Sequence, residues 1–155
     1  MKVLFITSTR IGDAVLSTSI INYIKSTFPF SHLYIATSRD SAPLFKNFLN
    51  LKKIFIVNKF FLKIHWLKLW LQTFFYKWDI VIDLRGSAIS YFLFNERKYI
   101  YKSINKHIHR LDELAILMKK TKLPLPHVPI LDKDFNKVSK DFLKLKNPIA
   151  IGASA

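Results

Sequence analysis

The chain has 155 residues, 50% of them hydrophobic and 15% aromatic, which excludes intrinsic disorder and provides enough material for one packed core. It contains no cysteine, so disulfides, thiolate metal sites and cysteine nucleophiles are excluded. Its 25 Lys and Arg against 10 Asp and Glu leave a net charge of +15, which points to an anionic partner such as nucleic acid, a membrane surface or a phosphorylated glycolipid. Twenty of those 25 cations are lysine, and Lys, Ile, Asn, Phe and Tyr share A/T-rich codons, so drift in base composition is the alternative source of the excess.

The first apolar run, Val3–Ile6, is too short for the core of a secretory signal. No window reaches the roughly 18 uninterrupted apolar residues of a membrane-spanning helix. The expectation is a soluble, cytoplasmic chain that can touch a membrane from inside.

Val3–Thr7 reads as a buried strand and Ser8–Gly12 as a polar loop. From Asp13 the apolar period changes to that of a helix, which Phe28-Pro29 ends. His32–Thr37 is a second predicted strand, Ser41–Leu49 a short helix and Lys53–Val57 a third strand. Phe61–Lys77 reads as a long aromatic helix and Trp78–Leu84 as a fourth buried strand. This βαβαβαβ order predicts a parallel sheet with helices on its faces. Beyond it, Ile89–Phe94 reads as a helix, Lys98–Lys102 as a fifth strand and Leu111–Lys120 as a helix. Pro124, Pro126 and Pro129 exclude regular structure and suggest an interdomain approach or a surface loop. Asp134–Leu145 is an amphipathic helix, and Pro148–Gly152 opens a new strand. A strand opening there has nothing to feed, so a front half of a longer architecture is expected: a domain over 1–146 and the first strand of another over 147–155.

Two loops hold candidate chemistry. In an open parallel sheet, ligands sit beyond the carboxyl ends of the strands. Ser8-Thr9-Arg10-Ile11-Gly12-Asp13 is the first such loop; its single glycine matches neither dinucleotide nor P-loop fingerprints. Gly12 would permit a tight turn. Asp13 is either a helix N-cap or a general base facing the cleft. Asp83-Leu84-Arg85-Gly86-Ser87 ends the fourth strand on the same edge. Arg85 could grip a phosphate or carboxylate in two-pronged fashion, with Asp83 orienting a hydroxyl, or the two could simply pair across a glycine turn.

Three other features carry less. Asp132-Lys133-Asp134 has the D-x-D spacing of metal-dependent glycosyl transfer, but precedes a helix as an N-cap would. The five histidines (His32, His65, His107, His109, His127) show no metal-ligand spacing, so no metal is expected. Residues 41–78 carry seven lysines, no acid and a dense aromatic series. That composition suits a helix packed on the sheet with wet lysines, an interfacial contact with anionic lipid or with another domain, or base stacking in single-stranded nucleic acid.

Three segments together resemble the family 9 glycosyltransferases, the family of ADP-heptose:lipopolysaccharide heptosyltransferases. Met1–Ile6 with Arg10–Thr18 resembles the opening strand, Gly-Asp loop and first helix; Trp78–Ser87 (WDIVIDLRGS) resembles an internal segment; Pro148–Ser154 resembles the strand that opens the second domain. All three glycines of the chain fall inside these segments. The resemblance implies an α/β, Rossmann-like parallel sheet with helices on both faces, the N-terminal domain of a GT-B fold. It implies inverting, metal-independent glycosyl transfer with Asp13 as catalytic base. Acceptor contacts fall on Ser8, Thr9, Arg10, Gly12, Asp83, Arg85 and Ser87. Arg85 departs from the family, where glutamine is common. The donor implied is an ADP-sugar bound mainly by a second domain, supplied by a longer chain or a separate C-terminal half; no cofactor is expected. The acceptor implied is a phosphorylated glycolipid of the lipopolysaccharide-core type, met at the inner face of the inner membrane. The competing class is a non-catalytic basic module binding anionic membrane or nucleic acid, of which nucleic acid is not the expected partner.

Overall fold

The structure is a computed structural model that describes residues 1–57, 64–102, 108–131 and 136. Among the described residues five strands form one sheet: β1 Lys2–Ile6, β2 His32–Thr37, β3 Leu51–Ile56, β4 Trp78–Asp83 and β5 Asn95–Ile100. Their order is β3-β2-β1-β4-β5 and every pairing is parallel. This is a Rossmann-like α/β sheet with helices on both faces, as the element order predicts.

Alternation along the strands builds two cores. Val3, Phe5, Leu33, Ile35, Ile80 and Ile82 face helix α1 (Ile11–Thr27) and helix α3 (Arg110–Leu117). Leu4, Ile6, Ala36 and Val81 face the opposite way, onto Leu69 of helix α2 (Ile64–Thr73) and onto Ile89 and Leu93. The central strands are buried on both faces, which is why their sequences are continuous apolar runs rather than alternating ones. Trp78 is fully buried at the foot of β4, and its indole N–H donates to the Thr73 carbonyl at 3.0 Å.

Several boundaries differ from the sequence reading. α1 begins at Ile11, two residues before Asp13. Ser41–Leu49 contains only a 3-10 turn, Ala42–Phe45, which Pro43 opens and which drops Phe45 and Phe48 into the core. α2 is shorter than Phe61–Lys77: it ends at Thr73, whose hydroxyl donates back to the Leu69 carbonyl at 2.7 Å. Ile89–Phe94 is not an α-helix but a 3-10 turn over Ala88–Tyr91. β5 begins three residues earlier than Lys98, at Asn95, because its register comes from β4 (Trp78 pairs with Asn95) and not from its own polar sequence. The proline segment runs back along α1 as a strap: the His127 N–H donates to Thr18 Oγ1 at 3.0 Å and Asn22 Nδ2 donates to the Leu125 carbonyl at 3.1 Å. The expected strand Pro148–Gly152, the domain boundary before it and Asp132-Lys133-Asp134 lie outside the described residues, as does the helix Asp134–Leu145 apart from Asn136.

Candidate functional site at the strand switch

The strand order reverses between β1 and β4: β2 and β3 are added outward from β1 on one side, and β4 and β5 on the other. In open α/β sheets the crevice outside the carboxyl ends at such a point is the usual ligand site. Ile6 pairs with Asp83, and the Leu84 N–H donates to the Ile6 carbonyl at 2.8 Å. The two loops singled out in the sequence, 8–13 and 83–87, therefore emerge side by side at this crevice.

The first loop is sparsely bonded. Arg10 occupies the N-cap of α1 in extended conformation, and its side chain makes no capping bond. Asp13 is thus the third residue of the helix, not its cap, and its carboxylate sits where the helix dipole favours negative charge. Ser8 Oγ donates to Asp13 Oδ2 at 3.3 Å and accepts from the Arg10 N–H at 3.3 Å. Asp13 is partly exposed. A β-carbon placed on Gly12 would meet nothing within 4 Å, so the glycine leaves open space above the helix start and is not demanded by a turn. Below the loop the structure is tight: Thr7 Oγ1 and Ser17 Oγ are 3.0 Å apart, both fully buried. Small side chains there bring α1 close against β1 and fix the position of its first turn.

The second loop is densely bonded. Asp83 is fully buried, and its carboxylate accepts from the Arg85 N–H at Oδ1 (2.8 Å) and, at Oδ2, from the Ser87 N–H (2.7 Å), Ser87 Oγ (2.5 Å) and Ser90 Oγ (2.6 Å). All four donors come from the seven residues that follow it, three of them crowding one oxygen. Asp83 thus acts on its own loop. The bond between Asp83 and Arg85 runs through the backbone N–H, and the Arg85 guanidinium is held at the loop surface, half-buried. Burial lowers the Arg85 pKa and the Asp83 charge partly offsets this; the group stays cationic. Gly86 has φ +61°, and a β-carbon there would lie 2.9 Å from the Tyr101 carbonyl, so this glycine is required.

Two contributors were missed in the sequence. Ser38, after β2, donates to the Thr9 carbonyl at 3.3 Å and so ties a third loop to the first. Its signal was position alone: it follows a predicted strand on the same edge. Arg110, Glu113 and Tyr101 form a cluster beyond β5, with Arg110 Nη1 2.7 Å from Glu113 Oε2 and the Tyr101 hydroxyl donating to Glu113 Oε2 at 3.2 Å. Burial acts to lower the Arg110 pKa, but the Glu113 bond and Tyr101 outweigh it and hold the guanidinium above its ordinary value. Among the described residues no cluster of His, Asp and Glu could hold a metal ion.

No family model matches the chain, and no curated protein matches it by sequence. Solved structures do match by fold. A family 9 glycosyl transferase from Veillonella parvula superposes with a TM-score of 0.71 at 14% identity, over 94% of this chain and 50% of that one. The E. coli ADP-heptose lps heptosyltransferase II gives 0.60 at 13% identity, over 95% and 52%. The E. coli heptosyltransferase WaaC with ADP gives 0.60 at 12% identity, over 95% and 55%. The chain therefore spans about half the length of the structures it resembles, and shares with them the Rossmann-like fold.

Proposed function

We propose that this chain is the acceptor-binding half of an inverting, metal-independent glycosyltransferase of the heptosyltransferase type. The observation that carries the reading is the placement of Asp13. Its carboxylate stands at the strand switch, in the first turn of α1, held by one long bond from Ser8 and bordered by the open space over Gly12. A general base must keep acceptor capacity for the proton it takes, and Asp13 does. The fold likeness to heptosyltransferases over half their length supports the reading.

In this mechanism an acceptor hydroxyl hydrogen-bonds to Asp13 and loses its proton to the carboxylate as its oxygen attacks the anomeric carbon of an ADP-sugar. The new glycosidic C–O bond forms on the face opposite the breaking bond to the phosphate, so configuration inverts and ADP leaves. Ser8 holds the carboxylate; Thr9, Arg10 and Gly12 shape the wall beside it. Arg85 provides a fixed positive charge for a phosphate on the acceptor. Asp83 and Ser87 serve by fixing the loop that carries Arg85. The ADP-sugar is held mainly by a second domain, in the same or a separate chain. The acceptor is a phosphorylated glycolipid of the lipopolysaccharide-core type, met at the cytoplasmic face of the inner membrane.

The test uses the chain joined to, or mixed with, a donor-binding half, an ADP-heptose donor and a phosphorylated core-type glycolipid, with ADP release as readout. Asp13→Asn should slow release at least about a hundredfold while leaving acceptor binding intact. Turnover that survives this substitution would remove Asp13 from the chemistry.

A further inference from the structure

We infer that the outer face of α2, together with the segment leading into β5, is a docking surface for an anionic lipid bilayer. This goes beyond glycosyl transfer and does not depend on it, since a pure binding module would use the same face.

The face is built by helical spacing. Leu67 and Leu71 lie one turn apart on α2 and are 58% and 54% exposed, and Phe75, 86% exposed, follows in the turn that leaves the helix. The Phe74 N–H closes the last helical turn on the Trp70 carbonyl at 2.7 Å, and the Tyr76 N–H then donates to the Thr73 carbonyl at 3.2 Å. Phe94, 63% exposed, joins from the neighbouring segment: its ring is 5.3 Å from Phe74, itself 5.5 Å from Phe75. Phe74, Phe75, Tyr76, Lys77 and Phe94 line an open, mainly apolar hollow of about 340 Å³. The opposite side of α2 is already occupied, with Leu69 buried against the sheet. Among the described residues nothing covers the outward row, and an exposed apolar surface of this kind marks an interaction site.

Charge selects the occupant. Lys68 and Lys77 are exposed beside the apolar row, and residues 41–78 contain seven lysines and no acid. A chain of net charge +15 repels a second copy of itself, so self-association through this face is opposed. Exposed phenylalanine and leucine tips rimmed by lysine match the interface of an anionic bilayer, where the apolar tips enter the acyl boundary and each lysine gains from the surface potential. Among the described residues no helix is long and apolar enough to cross a membrane, so the contact is peripheral. Phe75 and Phe94 stand where the chain enters the amino ends of β4 and β5, with the Trp78 N–H donating to the Phe94 carbonyl at 3.0 Å, so this surface lies away from the crevice at the carboxyl edge.

The experiment is sedimentation of the full chain with vesicles, either pure phosphatidylcholine or an equimolar mixture with phosphatidylglycerol. The chain should pellet with the mixed vesicles, release as salt is raised, and partition at least about tenfold less onto neutral ones. Phe75→Ser with Phe94→Ser, both at exposed positions, should weaken binding about tenfold or more. Lys68→Glu with Lys77→Glu should weaken it more than Lys119→Glu with Lys120→Glu, which removes the same charge next to α3. Equal binding to neutral vesicles, an unchanged Phe75/Phe94 variant, or equal losses from the two lysine pairs would each overturn the assignment. If single-stranded RNA binds instead and lipid does not, the face belongs to nucleic acid.

Discussion

The two loops at the strand switch hold one aspartate each, and the aspartates are treated oppositely. Asp83 is fully buried and receives four hydrogen bonds of 2.5–2.8 Å from its own loop. Asp13 is partly exposed and receives one of 3.3 Å from Ser8. A buried carboxylate held by four donors of its own loop is a structural anchor; a partly exposed one with a single long bond can take a proton from a bound molecule. Sequence spacing suggested both as site residues, and only the surrounding donors separate their roles.

The largest effect should come from Asp13. Asp13→Asn should lower the rate of transfer about a hundredfold to ten-thousandfold, at a stability cost of no more than about 1 kcal/mol from the lost charge at the helix start. Asp83→Ala should invert the pattern: it strands buried donors and should cost about 3–5 kcal/mol of stability, read as a fall in the urea midpoint. If Asp13→Asn destabilises the chain as much as Asp83→Ala does, the contrast between the two loops collapses.

The glycines sharpen the same comparison. Gly86→Ala forces a β-carbon to 2.9 Å from the Tyr101 carbonyl at φ +61°, and should cost about 1–3 kcal/mol. Gly12→Ala meets open space and gains helix propensity, so it should stabilise by up to about 1 kcal/mol, while narrowing the acceptor's approach to Asp13 and raising its KM. Calorimetry of the two variants side by side would show opposite signs.

The smallest effect lies at the other end of the strands. Burial, then Lys52 and other nearby positive charges, lower the pKa of His32. The unfolded chain therefore binds more protons than the folded one between the lowered value and the ordinary value of about 6.5. Stability should rise with pH through that window, and His32→Gln should flatten the slope. A slope that persists in the variant would assign it to another group.

The central sheet was legible because strands buried on both faces write themselves as apolar runs, so β1, β2 and β4 were placed within a residue or two. β5 was placed late because an edge strand reading Asn-Glu-Arg-Lys has no such run, and its start is dictated by pairing with β4. The short helices were overread: a 3.6-residue period over two turns cannot be told from a 3-10 turn that buries the same Phe45 and Phe48. For the site, position was readable and bonding was not. Motif and topology put Asp13 and Asp83 on one edge, but the Ser87 and Ser90 hydroxyls that enclose Asp83 declare themselves only in three dimensions. The Ser38 tie to Thr9 joins loops 29 residues apart, which no local pattern announces.

The charged borders of the sheet govern how this chain behaves in a crowded solution. β3 and β5 are the outer strands, and they present Lys52 and Lys53 on one side and Glu96, Arg97 and Lys98 on the other, all exposed. An unprotected strand border would recruit further strands and seed aggregates, and charged side chains along it oppose that addition. Precipitation of the purified chain should therefore be relieved by detergent, which covers the apolar flank of α2, and not by substitutions along either border.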